Sequence, residues 1–270
     1  MAFVGLAASK FEPPIGAAHL SATRLVHRNF IVFRRSWIIF LSGFAEPVFY
    51  LFSIGVGVGQ LIDGFEFNGQ TVAYAAFVAP GMLAASAMNG AILDSTFNVF
   101  FKLKYIKLYD AILATPMRTI DVARGEIAWS LMRAGVYSAG FLLVMVAMGL
   151  VESWWAVLVL PATLLIGFAF AGAGMALTTY MRSWQDFEYI QLANVSMFLF
   201  SATFFPVTAF HGALRWVVEV TPLYRGVALV RELTTGAVSP DSLWSVAYLL
   251  VMGSVGLAVA SRRFDTLLLR

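Results

Sequence analysis

The chain contains no cysteine. Disulfides, thiolate metal sites and catalytic thiols are therefore excluded, whatever the compartment. Charge is also scarce. Only 12% of the 270 residues are Asp, Glu, Lys or Arg, about half the share in an ordinary soluble domain, and 60% are hydrophobic. So little charge cannot wet the surface of a globule this size. Disorder is excluded too, because 15% of the residues are aromatic. A Gly-x4-Gly-Lys-Ser/Thr loop is missing, so no ATP hydrolysis is expected from this chain. His19, His27 and His211 are scattered without metal-ligand spacing, and no serine has a partnered histidine. No catalytic residue, metal site or bound cofactor is expected. The N-terminal segment MAFVGLAASKFEPP is too short and weakly apolar for a signal peptide.

What is present is a run of long apolar segments. A bilayer core about 30 Å thick needs roughly 20 apolar residues in a helix. Six stretches meet this: 37–60, 74–101, 127–151, 154–181, 189–210 and 243–260. The expected fold is an all-α polytopic membrane protein with six transmembrane helices. Lys and Arg cluster in residues 1–36, in the connection 102–126 and in the tail. The positive-inside rule then places both termini in the cytoplasm and accounts for the pI of about 9.3 without nucleic acid. Residues 1–19 read as a tail, 20–36 as an amphipathic interfacial helix, 37–262 as the six-helix transmembrane domain, and 263–270 as a cytoplasmic tail. In 20–36, Ala22, Leu25, Val26, Phe30 and Phe33 share one face with Trp37, opposite Arg24, His27, Arg28, Arg34 and Arg35. Residues 207–236 are broken by Gly212, Pro222 and Gly226. They carry too many charges to span, and read as a pair of short outer helices.

Three charges fall inside the expected spans: Glu46, Asp94 and Arg133. Each costs about 2.5–3.5 kcal/mol on the insertion scale, which makes it a functional candidate by default. Asp94 and Arg133 lie near one level and either pair structurally or serve a substrate. Glu46 precedes Pro47, where a kink is permitted. Asn89, Asn98, Gln191 and Asn194 are neutral polar residues within spans, suited to sugar contacts or to bonds between helices. Glycines at 55 and 59, and at 167, 172 and 174, favour close helix contact. In the 102–126 connection, Tyr109–Ala114 reads as a short helix stopped by Thr115-Pro116. Such a segment suits either docking of a cytoplasmic partner or an ordinary basic loop.

Four stretches together resemble the permease subunits of type-2 ABC exporters, in particular the nodulation J and daunorubicin-resistance permease group. They are Glu46-Pro47 with Tyr50-Leu51 and the 55–59 glycines; Tyr74 with 77–82 (FVAPGM) and Met88; 109–116 (YDAILATP) with Asp121, Gly125-Glu126 and Trp129; and Ser201 with Phe204-Phe205-Pro206, Thr221-Pro222-Leu223, Arg231 and Gly236. Two departures stand out. The family often has Ser-Gly before Phe-Phe-Pro, where this chain has Ser201-Ala202. A second proline usually follows, where this chain reads Phe210-His211-Gly212.

The resemblance implies an exporter of an amphipathic molecule: a lipid-linked saccharide, a lipooligosaccharide or a hydrophobic drug. It implies a plasma-membrane location, two permease copies (a homodimer or a pair of homologues) and two cytoplasmic ABC ATPase subunits that carry ATP and Mg. It places ATPase coupling at Tyr109, Asp110, Ala111, Leu113, Thr115, Pro116 and Arg118. Candidates for the substrate pathway are Glu46, Tyr50, Asn89, Asp94, Gln191, Asn194, Phe204 and Phe205. The rival reading is a proton-coupled secondary transporter relaying through Glu46 and Asp94. It would need no ATPase, and no internal repeat supports it.

Overall fold

The computed structural model describes residues 15–34, 45, 47–61, 64–67 and 70–268. Glu46 and Trp37 lie outside the described residues. Among the described residues the chain is an all-α membrane protein apart from one small hairpin. In order come α1 (Ile15–Arg34), α2 (Pro47–Gly59), β1 (Phe65–Phe67), β2 (Gln70–Val72), α3 (Tyr74–Tyr105), α4 (Leu108–Leu113), α5 (Thr119–Ala147), α6 (Trp154–Thr178), α7 (Asp186–Leu199), α8 (Ala213–Val220), α9 (Pro222–Thr235) and α10 (Pro240–Leu268). Among the described residues, α3, α5, α6 and α10 are long and apolar enough to cross a membrane. The hairpin is antiparallel, with Phe65 opposite Val72. It lies in the connection 61–73, which the all-α expectation had left without strands.

Helix α3 is the centre of the bundle. In its most apolar window 89% is buried, against 28–50% for α5, α6 and α10. Its sequence is apolar all round, as a helix with neighbours on every side must be. It packs on α5, α6, α9 and the wide-turned stretch Leu51–Val56 of α2. The α6–α10 contact is the most extensive. There a Cβ on Gly256 would lie 2.4 Å from the Gly172 carbonyl carbon, so glycine is what lets these two backbones touch.

Two expectations change. The stretch 189–210 is helical only as far as Leu199, and α7 has 14 residues. Ala202 holds a left-handed φ of +54°, which no continuing α-helix allows. In α1 the side turned to the protein carries Leu25 and Asn29, while Phe30 is half exposed beside Ile31 and Val32. The reason is Gly125 in α5: a Cβ there would lie 3.1 Å from the Leu25 Cβ, so α1 seats Leu25 in the glycine notch.

Candidate coupling segment and polar cavity

Helix α4 begins after Lys107, which has a left-handed φ of +50°, and ends in the turn 114–116. Tyr109 is fully buried and its ring lies 5.7 Å from that of Phe264 in α10. Burial, and next the Glu126 carboxylate beside it, push its phenol pKa well above the usual tyrosine value. Asp110, Ala111, Thr115, Pro116 and Arg118 are exposed, and Leu113 is half-buried. Tyr109, with the half-buried Ile112 and Leu113 packed on the same core, thus holds a short helix whose opposite face is exposed. The Thr115 hydroxyl donates to the Ile112 carbonyl at 2.6 Å and closes the turn. Asp121 accepts from the Arg118 backbone N–H at 3.3 Å and from its Nε at 3.2 Å, which fixes the start of α5.

Behind α4 lies a buried ion pair. Lys102 Nζ donates to both Glu126 oxygens, at 2.7 and 2.9 Å. Asn29 of α1 donates to Glu126 at 3.3 Å and accepts from Lys102 at 3.4 Å. α1, α3 and α5 therefore meet at one charge pair next to Tyr109. The Thr119 hydroxyl donates to Asp265, joining α5 to the end of α10. About two turns along α3 and α5 a second pair runs with its signs exchanged. Arg133 Nη1 donates to Asp94 Oδ1 at 2.5 Å, and Asn98 donates to the same oxygen at 2.8 Å. Arg133 Nη2 also donates to the Tyr137 hydroxyl at 2.9 Å.

Arg133 borders a cavity of about 490 Å³ between α2, α3, α5 and α7. Of the pathway candidates, Tyr50, Asn89, Gln191, Asn194 and Phe204 line it. Asn194 donates to Asn89 Oδ1 at 2.8 Å, tying α7 to α3 across it. Asp94 stands behind Arg133 rather than on the wall, and Phe205 is exposed elsewhere. The walls mix amide and guanidinium groups with Phe198 and Leu199. That chemistry accommodates a molecule with one polar and one apolar part.

Sequence reasoning missed two groupings. Lys102 read as a loop residue, yet it is buried at the end of α3. Glu126, Arg133 and Tyr137 recur at helical spacing on one face of α5, a signal that was present. Arg231 was quoted without a role. It is fully enclosed, donating to the carbonyl oxygens of Phe77 at 3.1 Å, Ala202 at 3.0 Å and Thr203 at 3.4 Å. Among the described residues no group of three or more His, Asp or Glu is placed to hold a metal ion.

Membrane-length helices around a mixed polar cavity, with a short exposed helix anchored beside a buried charge pair, define a membrane transport subunit. The profile of the ABC-2 type transporter family matches residues 22–234, and the chain belongs to that family. It is the membrane permease of an ABC transporter, a transport subunit rather than a catalytic one, and the family implies association with an ABC ATPase subunit. The chain is 32% identical over 212 residues to nodulation protein J of Rhizobium leguminosarum bv. trifolii, covering 77% of this chain and 79% of that one. Identity to nodulation protein J of Rhizobium meliloti (strain 1021) is 30% over 213 residues, 78% and 79% of the two chains. Nodulation protein J of Azorhizobium caulinodans is 24% identical over 245 residues, 88% and 94%. Family membership does not favour the proton-coupled alternative, and Asp94 is committed to Arg133 and Asn98.

Proposed function

We propose that this chain is the exporting permease of the plasma membrane, working as two permease copies with two ATP- and Mg-binding ABC ATPase subunits. In this reading it spans the membrane six times with both termini cytoplasmic, and α8 and α9 close the pathway on the outer side. The substrate is amphipathic: a lipid-linked saccharide, a lipooligosaccharide or a hydrophobic drug. It passes through the cavity bounded by Tyr50, Asn89, Gln191, Asn194 and Phe204, and Glu46 belongs to the same route. ATP binding and hydrolysis on the partner shift the population between inward- and outward-facing states.

The observation that carries this reading is the segment 108–118. Its exposed residues Asp110, Ala111, Thr115 and Pro116 offer a docking face, while Tyr109 passes any displacement to the buried Lys102–Glu126 pair and to Phe264. The test is the ATPase activity of the complete permease–ATPase complex in proteoliposomes. Asp110→Ala and Pro116→Ala are expected to impair substrate-stimulated hydrolysis while leaving membrane insertion intact. Unchanged coupling in both variants would contradict the assignment.

A further inference from the structure

A groove of about 700 Å³ runs along the outside of the bundle between α6 and α10. On α10 its wall repeats at helical spacing, through Trp244, Tyr248, Val251, Val255 and Val259. Opposite, it is formed by Ala173, Ala176 and Leu177 of α6 and by Tyr180 in the turn that follows. The depression exists because Ala173, Ala176 and Gly256 are small, and the glycine contact beneath prevents the helices from sliding together. Leu177, Val251 and Val255 stay more than half exposed. In a membrane protein such a groove faces hydrocarbon. Its lining gains dispersion energy only if something fills it.

One end of the groove is charged. The Arg263 guanidinium carbon lies 4.3 Å from the centre of the Tyr180 ring, so the aromatic wall holds it in place. Its Nη2 reaches the Thr179 carbonyl at 3.4 Å, and its buried Nε has no hydrogen-bond partner among the described residues. No carboxylate among the described residues forms an ion pair with Arg263. Arg262 is exposed beside it in the chain, and Arg182 is exposed two residues after Tyr180, its backbone N–H donating to the Asp186 carboxylate at 2.7 Å. From Arg263 to Trp244, the far end of the groove on α10, is about 29 Å of helix, so a chain reaching the ~15 Å hydrocarbon depth of one leaflet occupies the half nearer Arg263.

We propose that this groove binds one anionic glycerophospholipid, its acyl chain lying along α6 and α10 and its phosphate on Arg263. An anionic headgroup is favoured over a zwitterionic one because Arg263 has no ion-pair partner among the described residues, and a phosphate with net negative charge supplies one. The site is separate from the transport cavity. It makes the permease selective for the lipid at its flank.

The full chain is placed in nanodiscs of equimolar phosphatidylglycerol and phosphatidylcholine and released into native mass spectrometry. One phosphatidylglycerol is expected to remain bound per chain, preferred over phosphatidylcholine by about tenfold, the scale of one charge-assisted bond. Arg263→Gln is expected to abolish the preference. Ala176→Phe is expected to abolish retention of either lipid. Val255→Phe, at an exposed wall position, does the same should Ala176→Phe fail to fold. Arg124→Gln, an exposed arginine of α5, leaves retention unchanged. The proposal is overturned if the unaltered chain shows no preference or Arg263→Gln keeps it. It is also overturned if groove-filling leaves retention intact, or if it dissociates a dimer instead of releasing lipid.

Discussion

Arg231 Nη2 donates to the carbonyl oxygen of Ala202 at 3.0 Å, so the second short helix is bolted to the point where α7 stops. The same guanidinium lies 3.8 Å from the centre of the Phe77 ring and bonds the Phe77 carbonyl at the start of α3. A planar fork with several donors suits three carbonyls in different directions, and a lysine ammonium does not. Arg231→Met should leave buried carbonyls unsatisfied and lower stability by about 3 kcal/mol. Arg231→Lys should fall between the two. Thermal unfolding of the detergent-solubilised chain reads the order. A melting temperature for Arg231→Met equal to that of the parent would refute this role.

Ala202 sits at φ +54°, where an L-residue costs about 1 kcal/mol that glycine does not. This is the position at which the resembling family often has glycine. Ala202→Gly should therefore raise stability by up to ~1 kcal/mol, against the usual direction of an Ala-to-Gly change. A drop in the unfolding midpoint would contradict the backbone geometry.

The Lys102–Glu126 pair is buried, with side chains only 10% and 3% exposed. Removing one member strands a charge, at a cost of about 3–5 kcal/mol, whereas replacing both with apolar residues is close to neutral. Lys102→Met alone should be severely destabilising. Lys102→Met with Glu126→Leu should recover most of the loss while loosening α1, whose Asn29 loses its partners on α3 and α5. A double-mutant cycle in chemical unfolding measures the coupling, and additivity of the two changes would rule it out.

Gly256→Val places a side chain against the Gly172 backbone, where even a Cβ is 2.4 Å away. The helices must separate, at about 1–3 kcal/mol. Pulsed electron resonance between spin labels on α6 and α10 should report a longer distance. An unchanged distance would show that the contact is not set by glycine.

Legibility in the sequence followed the length of the signal. Helices α3, α5, α6 and α10 announce themselves because nothing but hydrocarbon or a buried core accommodates so long an apolar run. The Asp94–Arg133 pairing was one of two options and is the one formed, since antiparallel α3 and α5 bring both to one level. The early end of α7 was not readable. Phe198 to Phe205 is as apolar as a span, and the break rests on the backbone at Ala202 and on Arg231, distant in sequence. Lys102 was hidden for a similar reason: its partner lies across the fold, and a lysine at a span end ordinarily reaches water.

The absence of cysteine makes the central claim directly measurable, because an introduced thiol is the only one in this chain. Thr115→Cys, exposed at the tip of the coupling segment, is labelled with a maleimide–benzophenone reagent in membranes containing the ABC ATPase subunit, then irradiated. The expected result is a covalent adduct with the ATPase subunit, and none from Val238→Cys in the connection between α9 and α10. An intact permease–ATPase complex that yields no adduct from position 115, or yields it equally from 238, would contradict the account.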